Sequence, residues 1–198
     1  TQLCSSAASD VYKRQVYGND DRRDWHELDS SDSDDALALG LLENSIMAHI
    51  FRSDLGSPDS DGVYRVLDDY PDSSRLGPAR NMCPNQKFLQ HPRLSYCSAT
   101  LVGNSHVITA AHCVWNQMLC DDAAFVFNYY VTGYDDNGNP TFPAITRDEV
   151  FFCKSVSTNY REDSSGYSSG TDIAYITLDR AVPGRTPATY HKTLVRTT

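Results

Sequence analysis

Short runs in which apolar and polar residues alternate, each bounded by turn-forming residues, recur along the chain and predict an all-β fold. The clearest pair lies at 97–114, C-S-A-T-L-V-G-N-S-H-V-I-T-A-A-H-C-V. Ala99, Leu101, Val107, Ile108 and Val114 suit a pleated, half-buried ribbon, and Gly103, Asn104 and Ser105 supply the turn between its two arms. The expectation is a hairpin that ends by presenting His112, with Ala110 and Ala111 small enough for that turn to lie flat on the strands behind it. Cys97 and Cys113 bracket the open ends of the hairpin, and a bridge between them would fix the turn.

Further strands are predicted at 45–51 (S-I-M-A-H-I-F), 62–69, 124–132, 149–156 and 173–178. The strands at 124–132 and 149–156 are joined by a long loop whose Asn137 and Gly138 are a strong turn signal. If these two strands pair antiparallel, residues just before Phe125 face residues near Cys153, so Cys120 and Cys153 can meet. Between the strands, 29–35 (D-S-S-D-S-D-D) reads as loop, 71–80 as turn-rich linker, 84–92 as irregular chain, 114–118 as a single helical turn and 161–170 as loop. Pro183, Gly184 and Pro187 mark a connection running onward.

The net charge of −9 falls mostly on one part of the 198-residue chain. Residues 16–72 hold 15 acidic and 4 basic side chains, whereas 73–198 hold 10 and 11. Such a chain repels phosphate backbones, which argues against nucleic acid as a partner, and the acidic front reads as solvated surface. No apolar run approaches the roughly 18 residues that cross a bilayer, so no membrane partner is expected. The carboxylates at 29–35 and 135–139 lack EF-hand spacing and a distal glutamate, and His49 has no Cys, His or carboxylate around it at metal spacing. No metal and no cofactor is therefore expected, and His49 reads as a structural residue.

Six cysteines without C-x-x-C spacing argue for disulfides and an oxidising compartment, secreted or periplasmic. Residues 1–15 lack the basic start and apolar stretch of a secretory signal, and S-A-A-S-D-V-Y-K-R-Q resembles translated sequencing-adapter sequence. That segment, with Cys4, is set apart as non-native, and Cys83 is expected to pair beyond the chain.

The residues T-A-A-H-C, preceded by the cysteine-led strand C-S-A-T-L-V, resemble the histidine segment of the trypsin-like serine endopeptidases. C-P-N-Q-K-F at 83–88, F-V-F at 125–127, V-F-F-C-K at 150–154 and D-I-A-Y-I-T-L-D-R at 172–180 extend the resemblance to the bacterial branch that includes the glutamyl endopeptidases. V-Y-G-N-D-D-R-R-D-W from Val16 is similar to the start of their mature chains. The resemblance implies the first six-stranded antiparallel barrel of a two-barrel protease, with 16–80 as an acidic segment bearing the first strands, 81–190 as the barrel part carrying the catalytic pair, and 191–198 as the start of the inter-barrel connection.

By the same resemblance, His112 is the general base and Asp172 the carboxylate that orients it. A hydroxyl nucleophile needs such a base, and the order His then Asp is that of the chymotrypsin fold. The serine, expected later in a G-x-S-G context, lies beyond Thr198, so the 198 residues are expected to be a fragment without activity of its own. The implied partner is a polypeptide substrate, and a monomer is expected. A non-catalytic binding or decoy module on the same barrel is the alternative reading.

Overall fold

Six strands close into an antiparallel barrel: β1 (Ile46–Phe51), β2 (Cys97–Gly103), β3 (His106–Thr109), β4 (Ala123–Val126), β5 (Val150–Ser157) and β6 (Ala174–Leu178). Around the barrel their order is β1, β2, β3, β6, β5, β4 and back to β1. The computed structural model describes residues 20–68, 70–162, 166 and 168–189. The expected mature start at Val16, the set-apart segment 1–15 and residues 191–198 lie outside the described residues.

The period-2 pattern decides what lies inside. Met47, Leu101, Val107, Phe125, Phe151, Ile176 and Leu178 fill the barrel and are almost wholly buried. Each such side chain contributes about 1.5–3 kcal/mol on leaving water. The alternate residues of β1 and β4 do not face water either: Ala48, Ile50, Ala124 and Val126 pack beneath Leu55, Tyr64, Leu94 and Ile145, outside the barrel wall. Those two strands are therefore apolar on both faces.

The β2–β3 hairpin turns at Asn104 and Ser105, and that turn is tied to the end of β6: Leu178 N–H donates to the Ser105 carbonyl at 2.9 Å and Val182 N–H to the Asn104 carbonyl at 2.7 Å. The connection after β6 is anchored by Arg185, whose guanidinium lies over Phe127 at 4.3 Å, donates to Asn128 Oδ1 at 3.2 Å and also reaches the Glu43 carbonyl. Val150 and Phe151 of β5 pair with Val126 and Phe125 of β4, and the Cα atoms of Cys120 and Cys153, joined by a disulfide, stand 5.2 Å apart. That bridge fastens the helix Gln117–Asp121 to β5.

Several local expectations are corrected. The acidic stretch 29–35 is loop only in its first half: Asp32 caps the helix α1 (Ser33–Asn44), accepting from the backbone N–H groups of Asp34 and Asp35. Asp35 is buried and bound by Arg23, whose guanidinium holds the carboxyl below its ordinary range. The strand expected at 62–69 shrinks to Val63–Tyr64, paired with Ile145–Thr146 outside the barrel, and residue 69 is not described. The strand expected at 124–132 begins at Ala123 and stops at Val126, since Asn128 takes a left-handed φ of 61° that no strand sustains.

The helical turn expected at 114–118 splits into a 3₁₀ turn at Ala111–Cys113 and the helix Gln117–Asp121. Part of the expected linker is the short helix Leu76–Arg80, and part of the expected loop at 161–170 is a ribbon pairing Arg161–Glu162 with Ser168–Ser169. Cys83 is itself disulfide-bonded, which removes the reason for seeking its partner beyond the chain.

Candidate active site

His112 is delivered by the close of the β2–β3 hairpin. After β3 ends at Thr109, Ala110 remains extended and the 3₁₀ turn Ala111–Cys113 swings the chain over the barrel mouth. Ala111 is fully buried, so a larger side chain there would lift the turn off the strands. Cys113 is joined to Cys97 at the start of β2, with their Cα atoms 6.4 Å apart. The bridge closes the hairpin at the residue next to the imidazole.

Asp172 comes from the opposite direction, at the entry to β6. Gly170 sits at φ 91°, and a Cβ there would lie 2.3 Å from the Asn159 carbonyl oxygen. Only glycine allows that approach. Thr171 N–H then donates to Asn159 Oδ1 at 3.0 Å, and Thr158 Oγ1 donates to the Ile173 carbonyl at 2.8 Å. The chain on both sides of Asp172 is thus pinned to the end of β5, while β6 pairs with β3 from Ala174 opposite Thr109. Adjacent strands β3 and β6 bring together two residues that lie 60 positions apart in sequence.

The carboxylate meets the histidine twice. His112 Nδ1 lies 2.8 Å from Asp172 Oδ2, and the His112 backbone N–H donates to Oδ1 at 2.8 Å. The two bonds fix both the ring and the turn that carries it. They also hold the Asp172 pKa below its ordinary value, the backbone N–H of His112 contributing most and its ring next. An ionised Asp172 requires the proton on Nδ1, which leaves the lone pair on Nε2. Both side chains are about half exposed, 55% and 51%.

Three other described histidines lie elsewhere. His49 is buried on β1 against Tyr96, His91 lies near Asp24 and Tyr134, and His106 stacks on Tyr175. Of the predicted site residues, the structure joins His112 to Asp172, Cys97 to Cys113 and Cys120 to Cys153. Sequence reasoning missed Gly170, whose backbone packs on Asn159, and Asn159 and Thr158, whose side chains bond the backbone on either side of Asp172. A glycine two residues ahead of the aspartate was the one available signal.

A six-stranded barrel with a histidine at the close of its β2–β3 hairpin and an aspartate at the entry to its last strand defines the class: the trypsin-like serine protease fold. The family model described as Trypsin matches residues 77–192, and the chain belongs to that family. No curated protein matches it. Among solved structures, it is similar to the inactivated protease paralogue S-I1 of the scabies mite, at 20% identity and TM-score 0.33, over 52% of this chain and 40% of that one. It is also similar to human heparin binding protein, at 18% identity and TM-score 0.31, over 52% of this chain and 42% of that one. The chain therefore spans well under half the length of either structure.

Proposed function

We propose that this chain supplies the base and the orienting carboxylate of a serine endopeptidase, and that a second barrel of the intact protein supplies the serine. The observation that carries the reading is the double hydrogen bond from His112 to Asp172, at 2.8 Å each, on a chain of the trypsin family. His112 Nε2 takes the proton of the serine hydroxyl as it attacks the peptide carbonyl, then returns it to the leaving amine. Asp172 keeps the productive tautomer and stabilises the imidazolium formed between those two transfers.

The substrate is a polypeptide, and the branch is that of the bacterial glutamyl endopeptidases, on the strength of the motifs from Cys83 to Arg180. The disulfides fit a secreted or periplasmic protein. On this reading residues 1–198 alone are expected to be inactive, because the reading places the nucleophile on the second barrel. The test is to extend the coding sequence past residue 198, express the intact protein and expose it to a fluorophosphonate that labels activated serines. Labelling of one serine in a G-x-S-G context, lost in His112→Ala, is expected. An intact protein that labels no serine and cleaves no peptide would overturn the proposal in favour of a non-catalytic binding module.

A further inference from the structure

Closing the hairpin with a disulfide beside a histidine places three metal-binding side chains at one corner of the barrel. One ligand atom from each of Cys97, His112 and Cys113 lies within 4.8 Å of the other two, and among the described residues no other three His, Cys, Asp or Glu side chains form such a group. While the bridge is intact its sulfurs bind no metal. We propose that reduction of this bridge creates a zinc-binding site in which the two thiolates and His112 Nε2 hold the ion and water fills the fourth position.

The geometry asks for little movement. Zinc–sulfur bonds of about 2.3 Å and zinc–nitrogen bonds of about 2.0–2.1 Å set tetrahedral ligand atoms roughly 3.5–4 Å apart. The imidazole and sulfurs need close by only about 1 Å, and a Cα separation of 6.4 Å lets the sulfurs part by side-chain rotation. Asp172 already prepares the ring. A zinc-bound histidine characteristically donates its second N–H to a carboxylate, which sets the tautomer and raises the basicity of the coordinating nitrogen. The 2.8 Å contact between His112 Nδ1 and Asp172 is that arrangement before the metal arrives.

The chemistry balances with a dithiol as reductant. It passes two electrons and two protons to the Cys97–Cys113 bond, becomes a disulfide itself and leaves two thiols. Zinc then displaces both thiol protons to solvent, and two thiolates neutralise its charge. Cys97 is partly exposed and His112 is exposed while Cys113 is buried, so reductant and metal approach from the Cys97 and His112 side. Because Nε2 is also the base of the proposed mechanism, zinc there would hold the peptidase off. That consequence rests on the proposed function; the metal site does not.

The test uses the chain reduced with a water-soluble trialkylphosphine, which breaks the bridge and competes little for metal. Cobalt(II) is titrated in, its thiolate charge-transfer absorption read, and zinc then added to displace it. One equivalent is expected in the reduced chain and none in the oxidised one. Asp172→Asn should weaken binding by about 10- to 100-fold, and His112→Ala, which removes the ligand itself, by at least as much. The Cys97→Ser, Cys113→Ser double variant should lose the site, whereas Cys120→Ala, Cys153→Ala should keep it.

Equal cobalt affinity with and without His112, or binding that survives loss of Cys97 and Cys113, would overturn the proposal. If reduction melts the barrel, zinc should restore its circular dichroism, and failure to do so would equally overturn it. An intact protein that binds zinc in this way but cleaves no peptide would sink the proposed function and leave the metal site standing.

Discussion

Acid should weaken the barrel through His49. This residue of β1 is 0% exposed. Its ring stacks on Phe125 with centroids 4.6 Å apart and lies 4.5 Å from the ring of Tyr96. Its Nε2 is 2.6 Å from the Tyr96 hydroxyl, while Nδ1 has no hydrogen-bond partner among the described residues. Burial lowers its pKa from 6.5 to about 4. Above pH 6.5 the imidazole is neutral in folded and unfolded chains alike, so it costs nothing. Between 6.5 and about 4 the unfolded chain binds the proton and the barrel does not, so stability falls as pH falls; below about 4 the loss levels off.

At about 1.4 kcal/mol per pH unit, that window is worth about 3 kcal/mol, a large part of the roughly 5–15 kcal/mol that holds a domain folded. The assay is urea unfolding of the parent and of His49→Phe at about pH 7.5 and about pH 4. Phenylalanine keeps the aromatic stack and cannot titrate, and Tyr96, 36% exposed, can turn its hydroxyl to water. The parent should lose about 3 kcal/mol more than the variant across that range. His91, whose pKa is also lowered by burial, and the acidic residues act alike in both proteins and cancel in the comparison. Equal losses, within about 1 kcal/mol, would refute the reasoning.

Peptide mapping without reductant should recover Cys97 linked to Cys113, and removing that bridge, which spans 16 positions, should cost about 3 kcal/mol in unfolding experiments. Gly170→Ala forces a Cβ to 2.3 Å from the Asn159 carbonyl at a left-handed φ, so it should destabilise the chain by about 1–3 kcal/mol and loosen Asp172. Nitrogen NMR of His112 in the 198-residue chain should find the neutral ring protonated at Nδ1, and Asp172→Asn should abolish that preference.

What could be read from the sequence, and what could not, follows from where each signal resides. The β2–β3 hairpin was legible because its turn residues and one-sided alternation belong to a strand with one wet face, as the 36% exposure of Ile108 shows. T-A-A-H-C was legible because small residues must precede the histidine if its turn is to lie flat. Helix α1 was missed because its leucines do not gather on one face: Leu37 is 65% exposed, and the one buried residue of the helix is Asp35. The helix is held by its Asp32 cap and the Arg23 pair, which periodicity cannot show. The end of β4 was misplaced because Phe127, Tyr129 and Val131 continue an apolar pattern across a backbone reversal at Asn128, and they are buried or partly buried without being strand. Asp172 was found through its surrounding motif, but the clamp from Asn159 and Gly170 was not, because it joins segments separated in sequence and neither residue type alone announces that contact.

The most direct measurement of the central claim is the turnover of the intact protein carrying Asp172→Asn. The amide preserves the shape of the site but favours the wrong imidazole tautomer, and kcat should fall by about 10⁴, the loss that follows when the orienting carboxylate of such a triad becomes an amide. Replacing His49, His91 or His106 should cost far less. Turnover within about tenfold of the parent, a barrier change of less than about 1.4 kcal/mol, would contradict the assignment of His112 and Asp172 as the working pair.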